Sequence, residues 1–134
     1  MDEVTKAYLA GIVDGEGTAT LSRHHKHETP APLVSISNTN LKLLIWIRCK
    51  CGGIITSKKI SKPHHTQSYV WRLRQDSALC FLNEIKKYLI VKKEQAELIT
   101  KEYKKVTSRT GKYTAQLLRK KEKLVNKIRA LNQR

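Results

Sequence analysis

Acidic residues are scarce in this sequence. Only 11 Asp and Glu stand against 27 Lys and Arg, giving a formal net charge of +16 at pH 7. Such an excess opposes compaction through self-repulsion and is best relieved by a polyanion, which makes nucleic acid the leading partner. Long apolar runs are missing as well. No stretch approaches the roughly 18 residues a membrane helix needs, and none joins a basic face to a broad Trp/Phe/Leu face, so no membrane partner is expected. The chain does not open with a basic region, an apolar segment and a cleavage site, so no signal peptide is expected. Cysteine is sparse: Cys49, Cys51 and Cys80 are odd in number and unlike a disulfide framework in spacing. That usage suits a reducing, intracellular setting.

What remains suffices for one domain. The chain has 134 residues, 40% of them hydrophobic, enough for a real core. Residues 3–15 read as a helix entered at Asp2, with Thr5 and Lys6 on its wet side. Ala7, Gly11 and Gly15 recur along it as a stripe without bulk, which permits close helix packing. Each glycine inside a helix costs about 1 kcal/mol and needs a reason: a second helix, or this chain's own sheet. The helix ends in Asp14 and Glu16, where a helix already carries partial negative charge. Each acid there should cost roughly 0.3–1 kcal/mol.

Residues 18–24 alternate, with Thr18, Thr20, Ser22 and His24 on one side and Ala19, Leu21 and Arg23 on the other. `HHKHETPAP` is a polar turn, and residues 33–38 alternate again, with Val34 and Ile36 on one face. Thr39 or Asn40 can cap a helix to about Lys50 with Leu41, Leu44 and Ile45 inward, ended by Gly52 and Gly53. Residues 54–59 and 68–74 form a second hairpin, with Tyr69, Trp71 and Leu73 on one face and Val70, Arg72 and Arg74 on the other. Ala78, Phe81, Leu82, Ile85 and Leu89 mark an amphipathic helix, and Ala96, Ile99 and Tyr103 mark another over residues 92–105. A basic loop, `TSRTGKYT`, leads to a last helix with Leu117, Leu124, Ile128 and Leu131. The result is an α+β layer, one sheet with helices on its apolar face. Its other face is rich in Thr, Ser, Lys and Arg, a surface suited to nucleic acid.

`LAGIVDGEG`, Leu9 to Gly17, resembles the signature of the LAGLIDADG homing endonucleases, matching at Leu9, Ala10, Gly11, Asp14 and Gly17. The α-β-β-α-β-β-α order over residues 3–105 and the basic charge agree with it. One motif copy makes the resemblance one to the single-motif, homodimeric branch. It implies that family's fold: a four-stranded antiparallel sheet with helices on one face, here in a single domain, 1–134. Residues 106–134 would add the basic loop and a C-terminal helix.

The resemblance also implies a function. Such a protein cleaves both strands of a long, near-palindromic double-stranded DNA target by metal-dependent hydrolysis, and serves intron or intein mobility. The motif helices of two subunits would pack along Ala7, Gly11 and Gly15, bringing their acids near the dyad. Glu16, with the Gly15 carbonyl, would bind a divalent cation such as Mg²⁺, which would activate water and steady the leaving oxygen. Asp14 is read as a structural acid at the helix end. Asn38 corresponds to a residue that orients solvent, Lys92 to a lysine near the scissile phosphate, and Lys42 would supply a further basic group. Thr20, Ser22, His24, Ser35, Thr56, Lys58, Ser68 and Arg72 would read the major groove, and Arg109 and Lys112 would grip backbone. The cytoplasm of a bacterium or phage host, or an organelle, is the expected setting.

Two rivals remain. The family includes RNA-splicing maturases and proteins that bind without cutting, so RNA is an alternative partner. A zinc-stabilised binding module could use Cys49, Cys51, His64 and His65, with His24, His25 and His27 as further ligands. Cys-x-Cys at a helix end is, however, an unusual zinc spacing. Cys80 is expected to be a buried small hydrophobe.

Overall fold

In the computed structural model, which describes residues 1–59, 62–64 and 66–133, Asp2 opens the first helix. Its carboxylate accepts the Thr5 N–H at 2.8 Å, satisfying a donor that a helix start leaves free. This helix, α1 (Glu3–Glu16), ends when the Gly17 N–H bonds to the Val13 carbonyl. β1 (Gly17–Ser22) follows with no loop between. A Cβ on Gly17 would lie 2.8 Å from Val13 Cα and 3.3 Å from the Ser35 carbonyl oxygen, so only glycine fits this junction. Gly17→Ala should therefore destabilise the fold by about 1–3 kcal/mol, as overpacking does. A lower urea midpoint at unchanged slope would show it; an unchanged midpoint would mean the backbone yields cheaply.

The remaining elements are β2 (Ala31–Asn38), α2 (Leu41–Cys51), β3 (Ile54–Ser57), β4 (Tyr69–Arg74), α3 (Gln75–Ile85), α4 (Lys93–Glu102) and α5 (Ala115–Asn132). Short 3₁₀ turns follow α3 and α4 at Lys86–Tyr88 and Lys104–Val106. The strands form one antiparallel sheet in the order β1-β2-β4-β3. Ala19, Leu21, Val34, Ile36, Trp71 and Leu73 are buried on one face, beneath α1, α2 and α3. Leu9, Ala10 and Val13 of α1 complete this core, and the Trp71 indole meets Phe81 edge-on at 5.5 Å. The Trp71 N–H reaches the Gly52 carbonyl at 2.8 Å, satisfying the one polar atom its burial would otherwise strand. α5 covers the open side of β1, where Asn132 donates to the Ala19 carbonyl at 3.1 Å and protects a free sheet edge. Among the described residues no helix is long and apolar enough to cross a membrane.

Several local expectations are corrected. β1 stops at Ser22, so Arg23 and His24 lie in the following loop, while β2 begins earlier, at Ala31. β3 stops at Ser57; Lys58 lies just beyond it, its N–H on the Ser68 carbonyl at 2.8 Å, and Ser68 precedes β4. On α2 the buried pair is Leu44 and Ile47, whereas Leu41 and Ile45 are exposed. That helix is apolar at 41 and at every position from 43 to 47, and packing against the sheet, not the pattern, selects its inward face. Cys80 is exposed, because Leu79, Phe81 and Leu82 take the inward positions around it. Lys6 is not on a wet face: it is largely covered and bridges Glu3 at 3.4 Å and Glu84 at 3.1 Å.

Candidate active site

The two acids at the end of α1 meet different fates. Asp14 accepts the Ile90 N–H at 2.7 Å on one oxygen, and the Val91 and Lys92 N–H groups at 3.1 and 3.0 Å on the other. These donors immediately precede α4, whose positive end offsets the unfavourable end of α1. The Lys92 ammonium then reaches back to the Asp14 carbonyl at 2.8 Å. Asp14 is thereby consumed in joining α1 to α4, and it fixes Lys92 two residues from Glu16.

Glu16 is exposed, and its Oε2 accepts a hydrogen bond from Asn38 Nδ2 at 2.6 Å. The Asn38 amide cannot be turned the other way, because its Oδ1 accepts the Asn40 N–H at 2.8 Å. Asn40 in turn caps α2 through the Leu43 N–H at 3.3 Å. The corner between β2 and α2 thus aims Asn38 at Glu16. Among the described residues, Glu16 Oε1 has no hydrogen-bond partner and no cation pairs with the carboxylate.

A hard divalent cation fits this donor set. An exposed carboxylate oxygen and the carbonyl of exposed Gly15 at a helix end are the oxygen ligands that Mg²⁺ takes. Among the described residues no three His, Cys, Asp or Glu gather within one chain. A complete coordination shell would therefore draw on phosphate oxygens or on a second copy. Lys42 stands apart: it is exposed and lines a groove of about 480 Å³ with Val4, Tyr8 and Trp46, rather than bonding to Glu16.

The small-residue stripe does not face this chain's own sheet. Ala7, Gly11 and Gly15 are exposed, and a Cβ on either glycine would meet nothing within 4 Å. Val4 and Tyr8 continue the same surface at 80% and 55% exposure. The cost of two helical glycines is not recovered within one chain.

On the sheet's outer face the register aligns Thr18 with Ser35 and Ser35 with Arg72, and Thr56 lies opposite Val70. Thr20, Ser22, Ser35, Thr56 and Arg72 therefore share that face, while His24, Lys58 and Ser68 sit at strand ends outside the ladder. The Arg72 guanidinium is held by Thr56 Oγ1 at 2.8 Å. Arg74 shares the face opposite Leu33, and its Nε is buried without a partner among the described residues. Alternation placed Arg74 there but gave no reason to single it out; its unmet donor does. Val70, buried, and Ile54, exposed, make this face less uniformly polar than expected. Arg109 and Lys112 are exposed on the loop before α5.

Among the described residues no zinc set is assembled. Cys49 is exposed, and burial pushes the Cys51 thiol up to about 11, away from the thiolate that binds zinc. His65 lies outside the described residues. The His24 and His25 rings meet at 4.2 Å, tilted by 53°.

The sequence matches no family model and no curated protein. Solved structures do match. The homing endonuclease I-CvuI, crystallised with the I-CreI target and Mg, gives a TM-score of 0.75 at 20% identity, over 96% of this chain and 82% of that one. The archaeal intron-encoded homing endonuclease I-Vdi141I, complexed with DNA, gives 0.75 at 21% identity, over 98% and 86%. For the LAGLIDADG homing endonuclease I-GzeII with its DNA target the score is 0.61 at 19% identity, over 89% of this chain and 43% of that one. At such identities it is the fold that is shared. The motif from Leu9 to Gly17 and the order of elements lead to the same place: this chain has the fold of the LAGLIDADG homing endonucleases.

Proposed function

We propose that this chain is a site-specific DNA endonuclease acting as a homodimer, with residues 1–134 as one domain and residues 106–134 as a basic extension of its core. The observation that carries this reading is the Glu16–Asn38 contact of 2.6 Å, which holds an otherwise free carboxylate at an exposed helix end. The fold's DNA-bound relatives support the same substrate class.

Glu16 and the Gly15 carbonyl would hold Mg²⁺, which when bound supplies an activated water and charge stabilisation at the leaving oxygen. Asn38 keeps the Glu16 carboxylate from swinging into solvent, and its second amide hydrogen is available to orient water. Lys92 brings an ammonium to the Asp14 carbonyl at the same helix end, from which it would reach a phosphate. Asp14 holds Lys92 in place and takes no part in binding the cation. Lys42 would meet DNA backbone at the edge of its groove, as would Arg109 and Lys112 at the far end of the sheet.

The outer sheet face would enter the major groove, which admits a two-stranded ribbon. Thr20, Ser22, Ser35, Thr56 and Arg72 would contact bases from the strands, with His24, Lys58 and Ser68 at their ends. Arg74 joins them from the same face, opposite Leu33. Arg72→Ala should relax discrimination at one base pair per half-site by roughly 1–3 kcal/mol. A base-preference profile identical to wild type would remove Arg72 from the reading surface.

The function itself is tested by selecting cleaved duplexes from a randomised library in Mg²⁺, with an EDTA control. The proposal expects one near-palindromic sequence in Mg²⁺ and no products in EDTA. Products without sequence preference, or products in EDTA, would contradict it.

A further inference from the structure

Lys121 is only 2% exposed, on a face of α5 otherwise built from Leu124, Val125 and Ile128. Its ammonium has no carboxylate partner among the described residues. It donates to Thr29 Oγ1 at 2.9 Å and to Tyr113 Oη at 2.9 Å, and those two oxygens lie 3.3 Å apart. The rings of Tyr103 and Tyr113 flank it at 5.1 and 5.2 Å. Burial pushes the Tyr113 hydroxyl up, but its hydrogen bonds with Lys121 and Thr29 outweigh that and leave it below its ordinary range.

A methionine would fill the same space without adding a buried cation to a chain already at +16. What the ammonium adds is direction. It sets the distance between two hydroxyls that belong to different loops. Thr29 closes the loop between β1 and β2, which carries Arg23, His24, Lys26 and His27, and Tyr113 closes the loop carrying Arg109 and Lys112. β1 starts beside Glu16 and runs six residues away from it, so these loops stand about 20 Å from the acid. With the acids of two copies at the centre of a duplex, the loops reach its outer base pairs.

We propose that Lys121 is a positioning residue that locks the two basic loops into one clamp on the flank of each DNA half-site. This rests on the DNA-binding reading above and deepens it. The clamp adds affinity for long targets and leaves the central chemistry untouched.

The test compares binding, in the absence of divalent cation, to a duplex selected by binding and to a copy trimmed of its outer base pairs. Wild type should prefer the long duplex. Lys121→Met should weaken the long duplex roughly tenfold and the trimmed one hardly at all. The single-turnover cleavage rate at saturating DNA should stay unchanged. Tyr113→Phe, which keeps the ring and loses one acceptor, should show the same pattern more weakly, and it serves if Lys121→Met fails to fold. Equal losses on both duplexes, a slower saturated rate, or no loss at all would each overturn the proposal. The binding arms need no cleavage, so a protein that binds but never cuts would sink the nuclease reading while leaving the clamp testable.

Discussion

Glu16→Gln should abolish cleavage in Mg²⁺ while target affinity stays within about an order of magnitude of wild type. Affinity for DNA comes mainly from phosphate neutralisation and groove contacts, and 27 basic residues supply those. The amide keeps the size of the carboxylate and can still accept from Asn38, so the corner between β2 and α2 should hold its shape. What it loses is the negative oxygen a hard cation needs. Asp14 cannot replace it, since both of its oxygens are taken by the N–H groups of Ile90, Val91 and Lys92. Cleavage assays with filter binding on the same preparation make the check. A mutant that cuts at the wild-type rate would show that Glu16 is not the reacting carboxylate.

Gly11→Leu should abolish dimerisation and cleavage together while leaving the monomer folded. No atom lies within 4 Å of a Cβ at this position, so one chain accommodates a side chain there. The isolated helix should even gain, since glycine costs about 1 kcal/mol inside it. Between two copies of α1 the same leucine would hold the backbones apart and separate the two Glu16 carboxylates. A two-fold interface meets the change twice, once from each copy. Light scattering should report a monomer, and circular dichroism should show that it is folded and unfolds cooperatively. A Gly11→Leu protein that remains dimeric and active would place the interface elsewhere.

The parts of this molecule that the sequence discloses are those governed by local rules. Asp2 as a cap follows from its side-chain acceptor, the inward Ala19 and Leu21 and the helical spacing of Ala96, Ile99 and Tyr103 follow from periods of 2 and 3.6, and the structure keeps them. The motif at Leu9–Gly17 pointed to the fold because its glycines and acids have few other uses in that order. What could not be read depends on distant partners. Asp14 finds its donors 76 to 78 residues away, and nothing near it signals that they would be backbone N–H groups. The inward face of α2 was ambiguous because apolar residues surround it, so only the sheet could choose Leu44 and Ile47. Lys121 was invisible for the opposite reason. A lysine in a basic helix reads as solvated, and its burial depends on Thr29, 92 residues earlier, and on two tyrosines brought over it by the turn after α4 and the loop before α5.

The central claim is that two chains, each contributing one Glu16–Asn38 end, act on one duplex. Its most direct test is the mass of the protein–DNA complex, measured together with the cut position on each strand of the selected target. The account predicts two chains per duplex in Mg²⁺-free buffer. On adding Mg²⁺ it predicts one cut in each strand, placed symmetrically about the centre of the near-palindrome. A single chain per duplex that nevertheless cuts both strands would contradict it.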